Sequence, residues 1–148
     1  MSRGAAMAQS ERFVDNYLGH LLGQANHALY KEFDERVRAA GLSPIEWRVL
    51  ATLHDGEPLT VSQLAREVLS KQPTVTKLVQ RMAEQGWVEM RADAADQRRT
   101  LVAVTAAGRR VVKPLVEEAK QHEARILRAL GAMEKRTLRQ LLEKLVAL

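Results

Sequence analysis

The sequence predicts a mainly α-helical fold that carries one small β-hairpin. Three observations carry the prediction: apolar residues recur at three- and four-residue spacing along most of the chain, capping residues stand ahead of successive apolar runs, and one pair of β-branched segments brackets a polar stretch. Composition agrees with it. Of 148 residues 46% are hydrophobic but only 4% aromatic, so the core draws on Leu, Val and Ala at helical spacing rather than on the aromatic and β-branched mixture of sandwiches and barrels. A chain of this length closes around one core, and 1–148 reads as a single unit without repeat, low-complexity tract or linker.

Ser10 is placed to cap a long first helix over 10–41, with Phe13, Tyr17, Leu21, Ala25, Leu29, Phe33 and Val37 every fourth residue and Gly41 ending it. Ser43-Pro44-Ile45-Glu46 is a capping box with Pro at the first helical position, and it opens a second helix to about His54 with Val49, Leu50 and Leu53 inward. Asp55-Gly56 and Pro58 stop that helix. Thr60-Val61-Ser62-Gln63 repeats the box and starts a short third helix whose apolar side holds Leu64, Ala65, Val68 and Leu69. After the junction at Ser70 a fourth helix follows, with Pro73 in its first turn, a stripe of Val75, Leu78, Val79 and Met82, and Gly86 at its end.

From Trp87 the period changes. Trp87–Arg91 and Thr100–Val104 read as strands of a hairpin around the polar stretch 92–99. Thr105 caps a fifth helix with Val112, Leu115, Val116, Ala119, Ile126 and Leu130 inward and an expected kink at Pro114. Gly131 breaks it, and a last helix from about Glu134 aligns Leu138, Leu141, Leu142, Leu145 and Val146. The order helix, helix, short helix, helix, hairpin is that of a winged helix-turn-helix, here spanning 43–108 between 10–41 and 109–148.

The net charge of +5 suits a polyanionic partner, and zero cysteines exclude disulfides, thiolate chemistry and Cys-ligated zinc. No apolar run reaches membrane-spanning length and Met1–Gln9 lacks the apolar core of a secretory signal, so a cytoplasmic protein without a membrane role is expected. No Ser-His-Asp set, paired carboxylates or Gly-rich phosphate loop stands out, so neither an enzyme nor a cofactor is expected.

On the fourth helix the buried stripe leaves Lys71, Gln72, Thr74, Thr76, Lys77, Gln80 and Arg81 off the core. Gln and Thr can read base edges in a major groove, Lys and Arg can pair with phosphate or guanine, and the helix N-terminus favours a phosphate. The hairpin tip, Asp93-Ala94-Ala95-Asp96-Gln97-Arg98-Arg99, holds arginines with no apolar reason to exist. A narrow minor groove attracts such an Arg, and a neighbouring acid can orient its guanidinium.

The run from Ser70 to Gly108 resembles the recognition helix and wing of the multiple-antibiotic-resistance regulator (MarR) family, with Asp96, Gln97 and Arg98 ahead of a strand closing in Val104-Thr105-Ala106-Ala107-Gly108. Gln97 departs from the basic residue common at its place in that family. The resemblance implies that Arg98 enters the minor groove with Asp96 positioning it, and that Thr74, Thr76, Lys77, Gln80 and Arg81 face the major groove. It further implies that Ser62 and Gln63 hold the backbone, and that the first, fifth and sixth helices dimerise over a double-stranded inverted-repeat operator. With Ser70, Lys71, Gln72 and Arg99 these make up the candidate DNA-binding set.

The resemblance also implies release from DNA by a small molecule, often an aromatic acid or a related thioester such as an acyl-CoA, and repression as the commoner outcome. Asn16, Tyr17, His20 and His27 on the first helix and Trp47 and Arg48 on the second are the candidate ligand residues, with Arg48 for a carboxylate and Trp47 or Tyr17 for stacking. Two alternatives stay open. A zinc-responsive regulator of the same fold meets the difficulty that His20 and His27 stand two helical turns apart, about 10 Å along the axis. A helical protein–protein adaptor leaves the basic loop and polar fourth helix without a role.

Overall fold

The computed structural model describes residues 12–148. Its elements are α1 (Phe13–Asn16), α2 (Leu18–Ala39), α3 (Pro44–Leu53), β1 (Leu59–Thr60), α4 (Val61–Glu67), α5 (Gln72–Glu84), β2 (Val88–Ala92), β3 (Thr100–Val104), α6 (Ala106–Ile126) and α7 (Ala132–Val146), with a short 3-10 turn at Leu127–Ala129. The expected mainly helical fold with a β wing is present.

The capping signals act as the sequence predicts. Ser43 Oγ accepts from the Glu46 amide at 3.2 Å while the Glu46 side chain accepts from the Ser43 amide at 2.9 Å. Thr60 and Gln63 exchange the same pair of bonds at 3.2 and 3.0 Å. Each box satisfies two N–H groups that a helix start leaves without intrahelical partners, so α3 and α4 begin at defined residues.

Three expectations are corrected. The first helix is not continuous: Tyr17 adopts an extended backbone (φ −87°, ψ 116°) and divides α1 from α2. Its ring stacks on Phe13 at 4.9 Å and lies over Gly19, where an added Cβ would stand 3.1 Å from the ring; that ring packing takes the place of a helical turn. The Ser10 cap lies outside the described residues. The expected hairpin is present as β2 and β3, and a third strand extends it into an antiparallel sheet of order β1-β3-β2, because Leu59 and Thr60 pair with Val102 and Leu101. Leu69 does not join the core: it takes a left-handed conformation (φ 57°) after α4 and is 85% exposed. The last helix starts at Ala132, two residues early, its N-cap Gly131 amide donating to Glu134 Oε1. Pro114 sits within α6 without ending it.

The core lies where α3, α4, α5 and the sheet meet the C-terminal half of α2 and the first half of α6. Val49, Leu50, Leu64, Val75, Val79, Met82, Val102 and Val112 are fully enclosed there. Burying each such side chain contributes about 1.5–3 kcal/mol relative to leaving it in water.

One junction joins α6 to the lobe. Gly86, left-handed at φ 80°, ends α5. Its carbonyl accepts from the Thr105 hydroxyl, which in turn accepts from the Gly108 amide at 3.0 Å to cap α6. Gly108 then passes so close to the chain that an added Cβ would stand 2.1 Å from the Trp87 carbonyl oxygen. The start of α6 is thus seated on the turn between α5 and β2, and these three elements are placed as one.

Candidate nucleic-acid interface and effector cavity

α4 and α5 are joined by a short turn in which the Ser70 amide donates to the Ala65 carbonyl at 3.0 Å. α5 buries Val75, Leu78, Val79 and Met82, which leaves its other faces to solvent. Gln72, Thr76 and Gln80, one turn apart, line a groove of about 610 Å³, together with Ser62 and Gln63 of α4 and with Arg98 and Arg99 of the wing. Thr76 is half-buried and its hydroxyl donates to the Gln72 carbonyl at 3.0 Å. Lys71, Thr74, Lys77 and Arg81 are exposed on α5 or at its N-cap but do not line the groove, and Ser70 is half-buried in the preceding turn.

The wing tip is built on Asp96. Its Oδ1 accepts from the Arg98 amide at 3.1 Å and from Arg98 Nε at 3.2 Å, while Oδ2 lies 3.9 Å from Arg99 Nε. The Arg99 amide donates to the Asp96 carbonyl at 2.9 Å, closing the turn. The Arg98 side chain is nonetheless 92% exposed. An ion pair so open to water adds little stability, so its consequence is directional: a guanidinium held at the end of an ordered ribbon. Arg66, exposed on α4, lines the same groove and was not among the sequence candidates. Its spacing from Ser62 and Gln63 on one helix face was the available signal.

A second concavity, of about 900 Å³, lies between α2, α3, α6 and α7. Its wall carries a chain of aromatic contacts: Phe33 meets Trp47 edge-on at 5.1 Å and Tyr30 at 6.1 Å, and stacks near His122 at 6.0 Å. Of the six ligand candidates Trp47 lines this cavity; Asn16, Tyr17, His20, His27 and Arg48 are not among its lining residues. Asn16, Tyr17, His27 and Arg48 are exposed and His20 half-buried.

His122 escaped the sequence reading, although its place one turn after Ala119 continues the inward stripe of α6. It is buried, with Nε2 bonding the Leu29 carbonyl at 2.8 Å. A carbonyl only accepts, so Nε2 carries a proton. Nδ1 lies 3.0 Å from Arg125 and 4.0 Å from Glu32, and Arg36 meets Glu118 at 3.5 Å, so a polar seam ties α2 to α6. Tyr30 Oη and Asp34 Oδ1 are buried without a protein partner among the described residues. Burial, and secondarily the Asp34 carboxylate, raises the Tyr30 phenol above its usual range. Among the described residues no group of three or more His, Asp or Glu is assembled to hold a metal ion, and no helix is long and apolar enough to cross a membrane.

The description of the family model that matches residues 40–99 is MarR family. The chain is similar to the MarR family transcriptional regulator SPO1453 from Silicibacter pomeroyi DSS-3, with 37% identity and a TM-score of 0.79 over 91% of this chain and 99% of that one. It is also similar to NadR, solved in complex with 4-hydroxyphenylacetate, at 26% identity and TM-score 0.81 over 93% and 96% of the two chains. BpsR of Bordetella bronchiseptica, whose DNA binding is regulated by 6-hydroxynicotinic acid, aligns at 25% identity and TM-score 0.78 over 93% and 97%. With a winged fold in place and a relative above 30% identity over almost its whole length, the chain belongs to the MarR family of transcription regulators.

Proposed function

We propose that the protein is a homodimeric repressor that binds an inverted-repeat operator in double-stranded DNA and leaves it when an aromatic acid, free or as its acyl-CoA thioester, occupies the cavity beside α7. The observation that carries the DNA reading is the shared groove: residues of α4, α5 and the wing converge on one exposed surface, the geometry of a helix in a major groove with a ribbon reaching toward the minor groove. In this reading Gln72, Thr76, Lys77 and Gln80 meet base edges, with Thr74 and Arg81 on the flank. Ser62, Gln63, Arg66, Ser70 and Lys71 meet phosphates, and Arg98, aimed by Asp96, enters the minor groove with Arg99 beside it.

Dimerisation is proposed from the exposed apolar residues of α1, α2 and α7. Phe13, Leu18, Leu21, Leu141 and Leu145 are each more than two-fifths exposed in one chain, a pattern that a second copy buries. The effector class is proposed from the aromatic wall around Phe33 and Trp47 and from the acids named for NadR and BpsR. A DNA-bound regulator works where the chromosome is, which supports a cytoplasmic site of action.

Selection of bound duplexes from a random pool tests the reading. The expected product is an inverted repeat whose half-sites lie about one helical turn apart, bound more weakly as salt rises. Recovery of no enriched sequence at low salt would discard it.

A further inference from the structure

The charged residues lining the cavity between α2, α3, α6 and α7 are not equivalent. Arg139 Nε lies 3.0 Å from Glu143 Oε1, one turn along α7, so these two neutralise each other. The side chains of Glu123 on α6 and Lys135 on α7 make no hydrogen bond or ion pair among the described residues, with each other included. Lys135 is therefore the lining cation not already matched by a carboxylate.

Lys135 is the fourth residue of α7, one position after Glu134, whose carboxylate is engaged with the Gly131 amide. The wall supplied by α2, α3 and α6 offers the faces and edges of Phe33, Trp47 and His122 to a planar ring. A volume of about 900 Å³ holds a molecule of that class with room for a substituent.

We propose that Lys135 holds the carboxylate of an aromatic acid in this cavity, with the ring against Phe33, Trp47 and His122; the proposal rests on the effector reading above. Glu123 is the unpaired carboxylate on the same lining, and its charge opposes that of an incoming acid. The bound acid then ties the first turn of α7 to α2, α3 and α6, so a small anion biases the placement of a helix that also carries the exposed Leu141 and Leu145 stripe.

Calorimetric titration of the full chain tests the assignment. The probes are 4-hydroxyphenylacetate and 6-hydroxynicotinate, each beside its carboxamide, against wild type, Lys135→Gln, Glu123→Gln and Arg48→Gln. Wild type is expected to prefer acid over amide by about ten-fold, roughly 1.4 kcal/mol. Lys135→Gln loses that preference while binding the amide as before, Glu123→Gln binds the acid several-fold tighter, and Arg48→Gln is unchanged. If Lys135→Gln keeps the preference, or Arg48→Gln is the variant that loses it, the assignment to Lys135 is overturned and the effector reading stands. If Lys135→Gln instead changes the sedimenting species and not the preference, Lys135 belongs to a helix–helix contact and the proposal is equally overturned. Wild type that binds neither acid nor amide overturns both readings.

Discussion

Val75, Leu78, Val79 and Met82 of α5 are 0–3% exposed, whereas Leu138, Leu141, Leu142 and Leu145 of α7, at the same three-and-four spacing, are 39–54% exposed. Both helices are amphipathic in sequence, and what separates them is the neighbour. α5 packs on α4 and β2, so its stripe is enclosed within one chain. α7 faces a cavity on one side and solvent on the other, so its stripe contributes nothing comparable until another surface covers it. The contrast teaches that a periodic apolar pattern specifies a helix and a face, not the partner of that face.

The largest expected effect breaks the enclosed region alone. Gly108→Ala sets a Cβ against the Trp87 carbonyl and 2.9 Å from Val104, where backbone has little room to yield. The expected loss is about 3 kcal/mol or more, the upper range for overpacking, seen as a lowered denaturant midpoint. Wild-type stability in this variant would mean that α6 is not seated on the α5–β2 turn.

Next comes a matched pair. Leu50→Ala is expected to cost about 2–5 kcal/mol at any protein concentration, because its cavity opens inside one chain. Leu141→Ala is expected to cost under about 0.5 kcal/mol in dilute monomer but to lower the melting temperature increasingly where dimers dominate. Equal, concentration-independent losses would erase the distinction between the two regions.

A smaller effect separates binding from folding within the lobe. Arg98→Ala should weaken operator binding by about 1–3 kcal/mol while thermal stability stays unchanged, since the Arg98–Asp96 pair is exposed. An unaltered gel shift would count against the wing's role.

The smallest concerns the cavity wall. Tyr30→Phe removes a buried hydroxyl without a protein partner and should be neutral or stabilising by up to about 1 kcal/mol. Because the folded phenol is raised, its contribution is fully present below the unfolded value and is lost as pH rises through the folded one. Alkaline melting curves of Tyr30→Phe should therefore fall less steeply than those of wild type, and parallel curves would discard that account.

Much of the lobe was legible in the residues because its signals are local. Ser43 with Glu46 and Thr60 with Gln63 mark helix starts through side chains that reach only three residues, and Thr105 does the same for α6. The break at Tyr17 was not legible, since it depends on ring packing over Phe13 and Gly19 that a four-residue apolar repeat conceals. β1 was missed because two residues carry no alternation, and it exists through its pairing with β3. In the candidate sites, the polar face of α5 and the arginine tip could be named from type and spacing. His122 and Arg66 had only a spacing signal, and each becomes informative through groups far away in the chain, Leu29 for one and the wing for the other.

The residues by themselves determined which segments are helical, where most of them start, which faces are apolar, and that a ribbon ending in Arg98 and Arg99 follows a polar helix. Capping, periodicity and turn chemistry act over a few residues, so they can be read in one dimension. Tertiary structure alone decided that α4, α5 and the wing share one groove, that Phe33, Trp47 and His122 form one wall, and that Lys135 faces the cavity without a partner. Those are meetings between residues distant in the chain, and they follow from how helices pack around the core, a property that no local interaction encodes.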